Sequence, residues 1–370
     1  MGTTMKKALL CLLMLILSLG LFAVETDTYC YECLFAVETD TYCYECLDPT
    51  EQIAYSAIFD CITHLIPTWN CGSMSQTTIQ KAYDCLMMDR PELYWTDGYQ
   101  YVTSYTNNTI TGHRVEFIYN KTRAEISEIN TEIVDALIDM FAEIGQIDPT
   151  YETVKAVYEY MVRNCSYDAM NLDQSLYSVM VRHSGVCASF SRSFQFIMQV
   201  LGIPCSVVYG RLTRSEGVLG TTLGHEWNIL QLDGQWYHVD VTSAVSISRE
   251  DEVDYRFLCT TTADILKTHV IENTVPIPDC SSTDYEFFRY HGLCVDTYSR
   301  QALAEAMLKA VDMDLGAVAK FSNYRAYLEA IDDLFTREGI FQAIEDATGL
   351  RYTTVPYRTD EDQLILRLDI

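Results

Sequence analysis

Cys187, His225 and Asp240 are the three residues of this 370-residue chain whose types and surroundings fit nucleophilic chemistry. Cys187 follows Gly185-Val186 and opens a run in which Phe190, Phe194, Ile197 and Leu201 recur at helical spacing. The spacing places the thiol in the first turn of a buried helix. There the helix dipole favours a thiolate, and backbone N–H groups without an intrahelical partner can hold an oxyanion. Taken alone, such a cysteine is more often a small buried or disulfide-bonded residue.

His225 and Asp240 flank Asp233-Gly234, a strong two-residue hairpin signal between two extended runs. If Leu232 pairs with Gln235, Trp227 falls opposite Asp240 and His225 opposite Thr242. His225 and Asp240 are then diagonal neighbours on one face, with backbones roughly 7–8 Å apart and side chains able to meet. A carboxylate there fixes the imidazole's tautomer and stabilises its protonated form. A slip of one residue would send the two to opposite faces, so the expectation rests on the turn. His238 shares that face as a packed or supporting residue, and Trp227 and Trp236 are expected in the hairpin core.

These residues need a framework. The composition, 49% hydrophobic and 21% charged, is globular, and the length suits one large domain or two. With 25 basic against 52 acidic residues the net charge is −27, which repels a polyphosphate backbone or an anionic lipid surface and argues against nucleic acid as a partner. Residues 1–23, with Lys6 and Lys7 before an apolar run and small residues at the end, are expected to be a signal peptide. The competing reading is an uncleaved anchor, slightly shorter than the ~20 residues that span a bilayer. Thirteen of the 14 cysteines lie beyond Cys11, and export would permit disulfides among them.

The segment LFAVETDTYCYEC occurs twice in succession, at 21–33 and 34–46. Cys30, Cys33, Cys43 and Cys46 superficially match a four-cysteine zinc site. A short duplicated linker has no fold to organise ligands, so residues 24–47 are expected to form a flexible tail with local disulfides. Residues 48–146 alternate helical and extended patterns, with Val115, Phe117 and Tyr119 reading as a half-buried strand. A helix then begins with Asp148 as cap and Pro149 in its first turn, opening a core at 147–298. Residues 299–370 read as a helical region ending in a strand at Leu364, Leu366 and Leu368.

The blocks GVCASFSRSFQFIMQVLGIP, GHEWNIL and DGQWYHVDVT resemble, in order and spacing, the Cys, His and Asp motifs of the transglutaminase-like superfamily, and YEYMVRNCSYD and RPELYWTDGYQY add to the likeness. The strong part covers 151–242. Val241 and Ser243 depart from it, where proline and an aromatic are usual. The resemblance implies an α+β, papain-like core in which a helix presents Cys187 to an antiparallel sheet carrying His225 and Asp240, with α/β decorations at both ends. It also implies a secreted or cell-envelope enzyme that attacks a peptide, protein or envelope amide through a thioester, ending in hydrolysis or transamidation. The Cys187 N–H is the expected oxyanion donor, with Tyr167 or Asn164 as a second.

No metal or cofactor is expected, since the chain offers neither a phosphate-cradling glycine loop nor an HExxH pair. Two other readings stand beside the enzyme. One is a non-catalytic binding or adhesion module, which the 26 tyrosines would suit. The other ties Cys187 into a disulfide with Cys165 or Cys205. Asn107, Asn120 and Asn164 begin glycosylation triplets.

Overall fold

The computed structural model describes residues 41–213, 224–249 and 252–369. The expected signal peptide and the first of the two repeats lie outside the described residues.

The second repeat does not form a flexible tail over its last residues. α1 (Tyr42–Glu45) is docked on the protein with Cys43 fully buried. Its first amides explain the docking: Cys43 N–H and Tyr44 N–H donate to the two oxygens of buried Asp89, each at 3.0 Å. A carboxylate at the N-terminus of even one helical turn satisfies donors that the turn cannot. α2 (Pro49–His64) follows, capped by Asp48 in a reciprocal capping box with Glu51. β1 (Thr68–Gly72), α3 (Gln76–Asp89), β2 (Thr96–Thr106) and β3 (Thr109–Tyr119) complete the first unit, whose antiparallel sheet runs β1-β3-β2. Val115 and Phe117 are buried as their alternation predicts.

α4 (Arg123–Ile144) leads to α5 (Tyr151–Asn164). The cap of α5 is Thr150 and not Asp148, because the Thr150 hydroxyl is the group that accepts from Thr153 N–H. Then come β4 (Ser166–Tyr167), α6 (Leu176–Arg182), β5 (Ser184–Gly185) and α7 (Cys187–Val200). β4 and β5 pair in parallel directly ahead of α7. The central sheet is antiparallel in the order β8-β7-β6-β9, built from β6 (Cys205–Leu212), β7 (Gly224–Leu232), β8 (Gln235–Val239) and β9 (His269–Ile271). Phe190, Phe194 and Ile197 of α7 share one buried cluster with Leu230, Leu232, Tyr237 and Val239 of the hairpin. That is the helix-on-sheet packing of an α+β core. α7 is also tied to the first unit, since the Gln195 amide donates to the Met88 carbonyl and Gln199 to the Asp89 carbonyl, while Gln195 also reaches the Cys205 carbonyl at the start of β6.

α8 (Val241–Ile247) starts at Asp240, and α9 (Thr262–Ile265) and α10 (Phe287–Tyr290) lie along the return to the last unit. That unit holds β10 (Cys294–Val295), α11 (Arg300–Asp312), β11 (Ala317–Phe321), α12 (Tyr324–Ile331), α13 (Ile340–Thr348), β12 (Tyr357–Asp360) and β13 (Ile365–Leu368). Its sheet runs β10-β11-β13-β12. β11, a buried strand between two helices, is missing from the helical reading of this region, because five apolar-rich residues are too few to break a helical periodicity. Among the described residues no helix is long and apolar enough to cross a membrane.

Candidate active site

The hairpin turn decides the register. Asp233 and Gly234 both adopt positive φ, 47° and 77°, which a two-residue turn of this twist requires and which Asp-Gly supplies at low cost. Leu232 pairs with Gln235, and the ladder runs on to Asn228 opposite Val239. At Asp240 the chain leaves the strand: the Asp240 carboxylate accepts from Ser243 N–H at 2.9 Å and caps α8. His225 consequently has no partner in Thr242, which is helical. Its backbone partner is Gly210 of β6 instead.

Leaving the strand does not separate the two side chains. His225 Nε2 lies 2.8 Å from Asp240 Oδ2, with His225 almost buried and Asp240 wholly so. An ionised carboxylate can only accept, so Nε2 carries the proton and Nδ1 is the nitrogen left to meet Cys187. The Cys187 side chain lies near enough to this ring to raise its proton affinity. Burial lowers the proton affinity of His225, but the charge and hydrogen bond of Asp240, with Cys187 beyond, raise it more, up to about 10. Burial likewise pushes the Asp240 carboxyl up, and His225 and His269 more than reverse this and hold it well below the usual carboxylate range.

Cys187 is the first residue of α7, so its backbone N–H points out of the helix with no intrahelical acceptor. Gly185 just ahead of it cannot be larger: a β-carbon there would come 2.6 Å from Ser189 Oγ and 2.9 Å from Val179 Cγ2. The Ser189 hydroxyl needs that space to accept from Val186 N–H while donating to the Asp173 carbonyl. α7 is latched to β7 by buried Glu226, which accepts from Ser191 Oγ and faces Arg192, and by Asn228, whose amide donates to the Ser191 carbonyl. The latch lies next to His225 in sequence and fixes the strand that carries it.

His238 packs in the hairpin core: Trp227 Nε1–H donates to its Nδ1 at 3.1 Å, and its Nε2 meets Thr262 Oγ1. Burial, helped by His269, lowers its proton affinity to about 3. Trp227 is buried, and half-buried Trp236 meets Tyr42 of α1 edge-on. Burial pushes the Tyr167 hydroxyl pKa up, and the nearness of Cys187 adds to the rise. Asn164 turns back on its own helix to the Tyr160 carbonyl. Among the described residues all eleven cysteines are free thiols, so Cys187 pairs with neither Cys165 nor Cys205, and Cys43 and Cys46 are not joined.

Sequence reasoning missed His269. Its Nε2 lies 2.9 Å from the same Asp240 Oδ2 and its Nδ1 2.8 Å from Thr268 Oγ1. His225, Asp240 and His269 bring ligand-type atoms within 4.8 Å of one another. Hydrogen bonds from both rings to one oxygen account for that closeness. The available signal was Gly210, a glycine inside an apolar strand, which marks a close approach of neighbours.

Residues 139–241 match the family model described as Transglutaminase-like superfamily. Among solved structures the chain is similar to a candidate cysteine protease from Cytophaga hutchinsonii, with 15% identity over 39% of this chain and 62% of that one, TM-score 0.26. It is also similar to a structure described as a TGase, with 18% identity over 40% and 45% and TM-score 0.28. A third is the periplasmic domain of TgpA from Pseudomonas aeruginosa bound to ethylmercury, with 19% identity over 36% and 56% and TM-score 0.23. The match spans less than two thirds of each of these solved chains. No curated protein matches the sequence. The matched stretch, 139–241, contains the whole of α7 and of the β7–β8 hairpin, and with them Cys187, His225 and Asp240.

Proposed function

We propose that this chain is a secreted, cysteine-dependent acyl-transfer enzyme that acts on peptide or protein amide bonds, with Cys187 as nucleophile, His225 as its base and Asp240 as the group that orients His225. The observation that carries the reading is the placement of one imidazole, with Nε2 on a fully buried carboxylate and the ring beside a thiol at a helix N-terminus.

In the first half-reaction the Cys187 proton is already held on His225 Nδ1, and sulfur attacks the amide carbon, the carbonyl electron pair moving onto oxygen. The Cys187 N–H donates to that oxyanion, and the Tyr167 hydroxyl is within the neighbourhood to add a second donor. Collapse breaks the C–N bond, the imidazolium returns its proton to the departing amine, and a thioester remains. Water, or a second amine, then adds with His225 accepting its proton, and sulfur leaves. Water gives hydrolysis and an amine gives transamidation; both follow the same acyl enzyme. Neither route calls on a metal or an organic cofactor.

The test is alkylation of the mature protein with iodoacetamide over a range of pH, read at the Cys187 peptide by mass spectrometry, alone and with C187A, H225A and D240N. A Cys187 that reacts fast well below the ~8.5 pKa of a free thiol, and slows on loss of His225, supports the assignment. Reactivity indifferent to His225 leaves a secreted binding protein on the same fold.

A further inference from the structure

We infer that His269 is a positioning residue of the same site: its imidazole holds the Asp240 carboxylate against His225. The inference rests on the proposed roles of Cys187, His225 and Asp240 and adds a fourth side chain to them.

The sheet explains how two histidines from non-adjacent strands reach one oxygen. β6 lies between β7 and β9, with Gly210 opposite His225 on one side and opposite Ile271 on the other, while Leu212 is opposite His269. Side chains two apart share a face, so His225, Gly210 and His269 all lie on one. Because residue 210 has no side chain, the two rings approach across β6, with centroids 5.3 Å apart. Trp227 closes the space between them, 4.9 Å from the His269 ring edge-on and 5.9 Å from the His225 ring in a stack.

Three donors reach the carboxylate. Oδ1 takes Ser243 N–H at 2.9 Å, and Oδ2 takes His225 Nε2–H at 2.8 Å and His269 Nε2–H at 2.9 Å. With Asp240 fully buried, water cannot replace a lost donor. Asp240 requires the proton of His269 on Nε2, and the Thr268 hydroxyl at Nδ1 can donate to the lone pair that this leaves. The second imidazole thus fixes Oδ2 in the plane that His225 needs. A hydrocarbon in its place leaves the carboxylate free to turn about its Cβ–Cγ bond and weakens its grip on the His225 proton.

Groups that bear on His225 from the surrounding elements are Cys187 from α7, Asp240 at the start of α8, His269 from β9, and Glu226 beside it on β7. Behind Asp240 stands Tyr158 of α5, and behind His269 stands His238 of β8. A His269 variant replaces only His269 among them, and it reaches Asp240 and His238 through the loss of that ring.

The experiment titrates 15N-labelled histidines by NMR in the full mature chain as wild type, H269F and H269Q, and measures Cys187 alkylation against pH on the same samples. With H269F the His225 midpoint is expected to fall by about one pH unit, roughly a tenfold loss of proton affinity, and the alkaline edge of alkylation to move with it. H269Q, whose amide can donate to Asp240, is expected to restore most of both. If Phe does not fold there, H269M fills the space flexibly, carries no donor and makes the same comparison. A His225 midpoint unmoved in a folded donor-free variant, or H269Q behaving like H269F, overturns the inference. If the midpoint responds but Cys187 is no more reactive than a free thiol, the coupling stands and the enzyme reading falls.

Discussion

Trp227 lies so close over Gly210 that a β-carbon on residue 210 would sit 2.8 Å from its ring, and the same carbon would come 2.0 Å from the Val270 carbonyl oxygen. One position therefore sets the spacing of three strands. G210A is expected to cost about 1–3 kcal/mol by overpacking, with more if β9 has to leave the sheet. The urea midpoint gives the cost, and loss of the His269 contact would appear as slower Cys187 alkylation in the protein that remains folded.

Asp240 serves two masters, capping α8 through Oδ1 and holding His225 through Oδ2. D240N keeps an oxygen for Ser243 but turns the other atom into a donor facing two imidazole nitrogens. We expect turnover of an amide substrate to fall about 10²–10⁴-fold, because His225 is left in the wrong tautomer, while the helix cap survives. Circular dichroism unchanged beside a collapsed rate separates the two duties.

Acid should destabilise this protein earlier than its carboxylates alone would require. His238 is held neutral, with its proton affinity lowered from 6.5 to about 3 by burial and then by His269, so the unfolded chain binds a proton that the folded one refuses between those values. Stability therefore falls as pH drops from 6.5 towards 3, by up to about 1.4 kcal/mol per pH unit. H238F is expected to flatten that slope in denaturant titrations. It should also be less stable at pH 7 by about 1–3 kcal/mol, since Trp227 Nε1–H loses its acceptor.

The His225–Asp240 pair has its own windows. His225, with its affinity raised to about 10, contributes stability that is complete below 6.5 and lost as pH rises through 10. Asp240, with its affinity depressed, contributes above the ordinary carboxylate range and loses that contribution only in strong acid. H225Q should remove the alkaline loss between 6.5 and 10, as read by thermal midpoints across that range.

Asp89 carries the docked N-terminus. Its two oxygens accept from Cys43 and Tyr44 amides, and Oδ2 also takes the Tyr55 hydroxyl at 3.2 Å. D89A leaves these buried donors empty and is expected to free α1 before the rest of the fold gives way. Limited proteolysis should then cut between 41 and 47 at protease levels that leave the wild type whole.

Much of the site could be read before the structure because its parts are local. The α7 start is written in the apolar spacing after Cys187, and the hairpin register in Asp233-Gly234. The end of β8 was harder: Val239, Val241 and Thr242 favour a strand, and only the bond from Ser243 N–H to Asp240 turns the chain into a helix. His269 was out of reach because its partner is 29 residues away and the pairing of β9 with β6 is settled by tertiary packing. The same holds for β11, whose neighbours β10 and β13 come from opposite ends of the last unit. Nor did spacing separate Thr150 from Asp148 as the cap of α5, since both types cap well.

Docking of α1 gives the second copy of the duplicated segment a fixed place in the fold. Tyr-Cys-Tyr-Glu occurs at 29–32 and again at 42–45, and the second copy holds the seat on Asp89. A cut after Ala36 would discard the duplicate and leave the anchoring copy attached. The first copy is then a spare key to a lock already filled, and a peptide of its sequence added to D89A or wild type would compete for the seat only in the wild type, where the carboxylate still reads it.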